Sequence, residues 1–281
     1  MDTAYLDGQY LPLAEARVPV LDRGYLFADG VYEVMPVYAG RIFALDAHLD
    51  RLEFSLNAIQ LPNPLTHLSW REILEGLVTR NGGGEQMLYL QVSRGVQPKR
   101  GFALPENPTP CVLAFCQPLP PVSAFIKEKG VSTVTRADTR WLNCHIKSIA
   151  LLGSVLLSHE ALQAGCNEVI LLRDGYLTEG GSSNVFVVKS GVVITPPKSR
   201  LILAGITRDL VIESLPAAGI QLQERAVTEA ELRQAGEIWI TSSTREIYPV
   251  TTLDGEPVGD GRPGSQWAKA FDLFQACKAR G

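Results

Sequence analysis

One lysine, one glutamate and two hydroxyl-bearing turns are the side chains in this sequence whose types and spacing could do chemistry together. Lys147 lies in Cys144-His145-Ile146-Lys147-Ser148, directly before an apolar run from Ile149 to Leu162 that reads as a helix. A lysine at the head of such a helix can be drawn out of water, and desolvation disfavours the ammonium and exposes a nucleophilic amine. Most lysines are solvated, so the local context alone does not make it catalytic. Glu179 stands in Leu177-Thr178-Glu179-Gly180-Gly181-Ser182-Ser183-Asn184-Val185-Phe186. A carboxylate at a strand end, followed by two glycines and two serines, lets a flat ligand approach the backbone. Opposite a ring nitrogen it would keep that nitrogen protonated and the ring electron-withdrawing; taken alone, it reads better as an acidic loop residue.

Leu203-Ala204-Gly205-Ile206-Thr207-Arg208-Asp209 is a turn entering a helix, and free N–H groups at such a start suit a phosphate. Thr241-Ser242-Ser243-Thr244-Arg245-Glu246 follows a strand and offers further hydroxyls. An ordinary capped helix and a polar loop would look much the same. Together, however, the four segments supply the distinct parts of one pyridoxal-phosphate site.

The elements that must carry these residues form an α+β pattern. Leu45, Leu49, Leu52, Leu56 and Ile59 recur at helical spacing, with Asp46 placed to cap the start, and Leu68 to Val78 repeats the pattern. Strand-like runs at Met87 to Val92 and Cys111 to Cys116 flank a Pro- and Gly-rich excursion. In the second half, Glu168 to Leu172 and Tyr176 to Thr178 suggest a hairpin around Asp174-Gly175, and Val185 to Lys189 with Val192 to Thr195 suggests another. Glu237 to Thr241 is a further strand; helices are expected at 150–164, 208–218, 229–235 and 266–279. Pro118-Leu119-Pro120-Pro121 favours an extended spacer. The expected division is a small α/β domain at 1–117, a linker at 118–124 and a larger strand-rich domain at 125–281.

The bulk numbers narrow the field. A chain of 281 residues suggests two domains, and 46% hydrophobic with 20% charged residues is ordinary globular composition. A formal charge of −4 leaves no cationic excess to neutralise nucleic-acid phosphates. Five scattered cysteines with no CxxC pair indicate neither a disulfide framework nor a metal site. Met1-Asp2-Thr3-Ala4-Tyr5 has no signal-peptide character, and no apolar run approaches the roughly 20 residues of a membrane span. A cytoplasmic protein without membrane or nucleic-acid partners is expected.

The ordered motifs resemble those of the class IV (fold-type IV) pyridoxal-phosphate aminotransferases, and in particular the D-amino acid transaminase branch. The stretches that carry the resemblance are Arg140 to Ser148, Leu177 to Phe186 and Gly205 to Asp209. They are joined by Asp29-Gly30-Val31-Tyr32-Glu33, His48-Leu49-Asp50-Arg51-Leu52, and Thr241 to Val250 leading to Leu253-Asp254-Gly255. The resemblance implies that Lys147 is the Schiff-base lysine and Glu179 the partner of the pyridine nitrogen. It implies that Arg51 binds the cofactor phosphate with help from Ile206, Thr207 and Thr244, and that Leu203 packs on the ring. Tyr32 matches an active-site tyrosine near the substrate. A larger pseudo-barrel C-terminal domain holding the cofactor, and a homodimer in which one subunit's small domain covers the other's site, are likewise implied.

One departure concerns substrate. The branch traps the substrate carboxylate with an Arg-x-His-x-Phe-Pro form, where this chain has Arg100-Gly101-Phe102-Ala103-Leu104-Pro105. Counting back from the proline keeps Arg100 but puts Phe102 in place of the histidine; counting forward from Arg94-Gly95 puts Lys99 in the arginine's place. Either way a cation remains for the carboxylate, and a further candidate, from its charge and its closeness to Tyr32 in sequence, is Arg23 of the partner subunit, in the Asp22-Arg23-Gly24 loop. The expected reaction is transfer of an amino group from a D-amino acid to a 2-oxo acid such as 2-oxoglutarate. Branched-chain L-amino acid transamination and aminodeoxychorismate lysis share the same cofactor residues, as would a catalytically silent cofactor-binding protein.

Overall fold

The computed structural model describes residues 2–280, and the chain divides into two compact units, Met1–Pro120 with Ile146–Leu151 and Pro121–His145 with Leu152–Gly281. The α+β expectation holds. In the first unit the elements run β1 (Thr3–Leu6), β2 (Gln9–Pro12), α1 (Arg23–Phe27), β3 (Gly30–Tyr38), β4 (Arg41–Ile42), α2 (Leu45–Ala58), α3 (His67–Arg80), β5 (Gln86–Ser93) and β6 (Cys111–Pro118). The strands form one sheet in the order β2-β1-β6-β5-β3-β4, antiparallel at every pairing.

Period-2 alternation along β3 sends Val31, Glu33, Met35 and Val37 to one face. On that face the apolar stripe of α2 (Leu45, Leu49, Leu52, Leu56) and that of α3 (Trp70, Leu74, Leu77) pack into a continuous core. The start of α2 differs from expectation: the cap position is Ala44 in a left-handed conformation, and Asp46 pairs instead with Arg71 at 2.6 Å. On the opposite face Tyr32, Tyr89 and Phe115 stack as a row, with ring centroids 5.8 and 4.9 Å apart.

The second unit holds α4 (Ala124–Lys129), β7 (Val131–Ala137), α5 (Leu152–Gln163), β8 (Glu168–Arg173), β9 (Tyr176–Gly180), β10 (Asn184–Lys189), β11 (Val192–Thr195), α6 (Ile206–Ala217), β12 (Leu222–Glu224), α7 (Glu229–Arg233), β13 (Glu237–Ser242), β14 (Glu246–Leu253), β15 (Glu256–Pro257) and α8 (Ser265–Arg280). Its sheet runs β12-β11-β10-β13-β14-β7-β8-β9, with β15 added to β14. The last strand, β9, returns to the middle strand β10 through a tight turn, in which Gly180 N–H donates to Ser183 O at 2.7 Å. Val185 and Val187 of β10 meet Ile238 and Ile240 of β13 and Val250 of β14 in the main core.

The apolar run after Lys147 does not form one helix. The segment 146–151 is irregular, bent at Ile146 and Ile149, and bridges β3 at Val31–Ser148; helix begins only at Leu152. Nor is α5 a core helix: Leu157 and Ala161 are buried, while Leu152, Val155, Leu156 and Leu162 are exposed. Among the described residues no helix is long and apolar enough to cross a membrane.

Candidate active site

In the first unit Lys147 is held by its backbone rather than by a helix start. Tyr32 N–H donates to Lys147 O at 3.0 Å, Ile149 N–H to Gly30 O at 3.1 Å, and Lys147 N–H to the Ser55 hydroxyl at 3.2 Å. The backbone of the segment is therefore pinned between strand β3 and helix α2. The Lys147 ammonium lies over the Tyr32 ring, 4.2 Å from the centroid, where the ring's negative face favours a cation. Tyr32 and Lys147, both expected at the site, are thus neighbours.

Beneath them a charged group is buried in the core face of β3. Glu33, fully buried, takes Arg51 Nε at 2.8 Å and Nη2 at 2.7 Å in a bidentate fork, and His48 Nδ1 lies 2.7 Å from its second oxygen. Burial alone would raise the Glu33 carboxyl, but the Arg51 charge and these hydrogen bonds overcome it and hold it at about 2. Burial also lowers the His48 imidazole below its usual value despite Glu33. Arg51 is therefore no solvated helix charge; its guanidinium plane is fixed by an acid that sequence reasoning gave no role. Glu33 lies within the quoted Asp29–Glu33 stretch, and its only sequence signal was a charge at a core position of β3.

Arg100 is exposed, its guanidinium 4.9 Å over the Phe27 ring and 5.7 Å over Phe102. Arg23, by contrast, is not available as an open carboxylate binder. It is buried, pairs with Asp29 at 2.7 Å, and donates to Gln97 Oε1 and to the carbonyls of Gly101 (2.7 Å) and Ala103. Its charge is spent on holding the 97–103 loop that carries Lys99 and Arg100. Arg94 is equally internal, bonded to Asp29 and to the carbonyls of Ile59 and Gln60.

In the second unit Glu179 ends a buried strand. Its Oε1 accepts from Arg140 Nη1 at 2.7 Å, and its Oε2 accepts from Leu203 N–H at 2.9 Å and Asn184 Nδ2 at 3.2 Å. Loss of hydration pushes its carboxyl up to about 7, with Asp138 adding to the rise, while Arg140 and the Leu203 N–H act against it.

Asn184 ties this acid to the phosphate-type turn, because its amide also donates to Leu203 O at 2.8 Å. Gly205 follows, and a Cβ there would fall 2.0 Å from Asn184 Oδ1. Helix α6 then starts with Gly205 as its cap position and no side-chain cap, with Ile206 and Thr207 both buried. Across the sheet, Thr241 of β13 is the register partner of Asn184. Directly opposed residues share a face, so the Thr241 hydroxyl points the same way as the Asn184 amide; it is buried with no hydrogen-bond partner among the described residues. Thr244 sits two residues beyond β13 in the half-buried turn to β14. That turn is anchored by Arg245, which pairs with buried Glu168, an acid also near the Ser182 and Ser183 hydroxyls. Sequence reasoning quoted Asn184 and Thr241 without assigning them work; only their cross-strand pairing reveals it.

Comparison with known proteins gives a consistent set of relatives. The model of the family described as amino-transferase class IV matches residues 30–253. A D-alanine aminotransferase of Bacillus licheniformis is 42% identical over 261 residues, covering 92% of this chain and 90% of that protein. A branched-chain amino acid aminotransferase from T.th., solved with pyridoxamine 5'-phosphate, superposes with a TM-score of 0.92 at 26% identity, covering 99% of this chain and 95% of that one. A fold IV-transaminase from Curtobacterium pusillum matches with a TM-score of 0.82 at 29% identity over 97% and 91% of the two chains.

Proposed function

The chain belongs to the class IV aminotransferases, enzymes of fold type IV, and from that premise we propose that it transfers an amino group from a D-amino acid such as D-alanine or D-glutamate to a 2-oxo acid such as 2-oxoglutarate, with pyridoxal 5'-phosphate as cofactor. The observation that carries the substrate reading is the 42% identity to a D-alanine aminotransferase, sustained over nine-tenths of both chains. Branched-chain L-amino acid transamination is the second reading, favoured by the superposition on the branched-chain enzyme and by Phe102 standing where the trap histidine is expected.

The residues present fit the cofactor. The uncapped start of α6 offers backbone N–H groups to a phosphate. The orphaned Thr241 hydroxyl on the Asn184 face costs about 1–3 kcal/mol if it stays unsatisfied, and a bound polar group relieves that cost. Glu179, half-titrated near neutrality, suits a basic ring nitrogen.

Lys147 would hold the cofactor covalently through Nζ; Glu179 would face the pyridine nitrogen, and Leu203 would pack on the ring. Arg51, Ile206, Thr207 and Thr244 would take the phosphate. When bound, the cofactor supplies an aldehyde that carries the amino group and a ring that withdraws electrons from the substrate Cα. Lys147 would then be the single base: once the substrate amine has taken its place on the cofactor, the freed neutral amine would remove the Cα proton and return it to C4′. Tyr32, whose ring lies beneath that amine, steadies the protonated form. Because one lysine works from one side, whichever way Arg100 holds the substrate carboxylate decides which enantiomer presents its Cα–H. The active unit in this reading is a cytoplasmic homodimer, and the exposed apolar side chains of α5 support self-association.

The test is acceptor dependence. With D-alanine as donor, pyruvate beyond one equivalent per cofactor should form only when 2-oxoglutarate is present, in step with glutamate. Pyruvate released from aminodeoxychorismate without any acceptor would overturn the transaminase reading in favour of the lyase.

A further inference from the structure

Asp138 follows β7 directly and is one of the most heavily bonded side chains in the second unit, yet neither the family resemblance nor the proposed mechanism gives it a role. Its carboxylate is fully buried and accepts from Arg140 at three points, the backbone N–H at 3.1 Å, Nε at 2.9 Å and Nη2 at 2.9 Å. The Thr178 hydroxyl donates to it at 2.9 Å, from the residue next to Glu179, and Arg173 Nη2 lies 3.2 Å away. Arg173 also donates to Arg140 O at 2.8 Å. The fork of Arg140 is therefore divided: Nε and Nη2 are committed to Asp138, and Nη1 is left directed at Glu179 Oε1.

That division has an electrostatic consequence. A guanidinium 2.7 Å from Glu179 competes with any other cation for the same carboxylate. If Arg140 acted with its full charge, a protonated pyridine nitrogen would meet a carboxylate already neutralised and a repelling cation behind it. With Asp138 bidentate on its far side, the arginine keeps its geometry and part of its charge is offset, Asp138 acting on Glu179 in the direction opposite to Arg140. The pair Asp138–Arg140 is then a neutral bracket that orients Glu179 without consuming it.

We propose that Asp138 is a positioning residue that pins Arg140 and offsets its charge, so that the Glu179 carboxylate remains available to a protonated pyridine nitrogen. The assignment rests on the cofactor reading given above. It predicts that charge changes around Asp138 alter the preference for pyridoxal phosphate over its 1-carba analogue, in which C–H replaces the ring nitrogen. A merely structural role would weaken both compounds alike.

The experiment titrates cofactor-free protein with each compound, following tryptophan fluorescence, in the parent, Asp138→Asn, Asp138→Glu and Arg173→Met proteins. Asp138→Asn keeps the shape and removes the charge, and should lower the preference for pyridoxal phosphate about tenfold. Asp138→Glu should restore part of it. Arg173→Met removes the cation outside Asp138 and should raise the preference, a change of opposite sign that also serves if Asp138→Asn does not fold. A preference unmoved in the variants, or moved the same way by Asp138→Asn and Arg173→Met, overturns the assignment while leaving the cofactor reading intact. Binding of neither compound by the parent protein removes the cofactor reading and this assignment with it.

Discussion

Replacing Gly205 with alanine separates the role of space from that of backbone freedom at the start of α6. Gly205 has φ −73° and ψ 132°, a conformation open to any residue, so the backbone makes no demand for glycine. The demand is for room, since a Cβ would lie 2.0 Å from Asn184 Oδ1 and 3.2 Å from its Cγ. The Asn184 amide must swing away, and it then loses its bonds to Leu203 O at 2.8 Å and to Glu179 Oε2 at 3.2 Å. The neutral bond contributes about 1 kcal/mol and the one to a carboxylate about 1.5–3 kcal/mol. Alanine recovers about 0.5 kcal/mol by restricting the unfolded chain. A net loss of about 2–3.5 kcal/mol should appear as a lower urea midpoint for the cofactor-free protein. The same substitution in an Asn184→Ala background should cost almost nothing more, because the clash partner is gone. A Gly205→Ala protein as stable as the parent, or one destabilised equally in both backgrounds, would refute the reasoning.

Glu33→Gln should destabilise the protein by about 3 kcal/mol at neutral pH, from a carboxyl held at about 2 rather than 4.5. Because the folded state depresses this pKa, the contribution is complete above about pH 4.5 and fades as pH falls through about 2. Urea midpoints of parent and variant should therefore converge on acidification, and a constant difference would contradict the assignment. Lys147→Ala should abolish turnover, and borohydride reduction should no longer leave a phosphopyridoxyl mass on the 144–148 peptide; retained labelling would place the covalent link elsewhere. Arg100→Ala should raise the KM for D-alanine about ten- to a hundred-fold, the equivalent of one charge-assisted carboxylate contact, with a smaller effect on kcat. An unchanged KM would move the carboxylate site to Lys99 or another cation.

Much of the architecture follows from local pattern because the pattern is local. The stripe Leu45-Leu49-Leu52-Leu56 faces the core as its spacing requires, and the runs that became β5, β6, β10, β11 and β13 are bounded to within two residues. The N-terminal hairpin carries a readable signal: Asp7-Gly8 between Tyr5-Leu6 and Gln9-Tyr10, both at positive φ (45° and 93°), is a primed hairpin turn. What local pattern could not give is pairing across long stretches of chain. Ile149 to Leu151 look helical by composition, yet Gly30 and Val31, over a hundred residues away, tie this stretch into a bent, irregular segment through the Ile149 N–H and the Ser148 bridge. The apolarity of α5 likewise promised burial that most of its side chains do not have.

The site shows the same limit. Lys147 and Glu179 are candidates by residue type and neighbours, but only the ordered motifs around them raise them above a solvated lysine and an acidic loop residue. Glu33 beneath Arg51, Asp138 behind Arg140 and Asn184 beside Gly205 act only through partners that the fold brings to them, so they had no pattern of their own. Arg23 shows the same dependence on the fold: its charge and closeness to Tyr32 in sequence suggest a carboxylate ligand, while within its own chain it is bonded to Asp29 and to the carbonyls of the 97–103 loop.

The central claim, D-amino acid transamination through Lys147 and Glu179, is tested most directly by a single half-reaction. Cofactor-loaded protein is mixed separately with D-alanine and with L-leucine, without an acceptor, and the cofactor absorbance is followed. Conversion to the pyridoxamine form by D-alanine alone, with one equivalent of pyruvate, is the predicted result. Conversion by L-leucine alone would contradict the account, transfer the chain to the branched-chain reading and leave Arg100 without its proposed role.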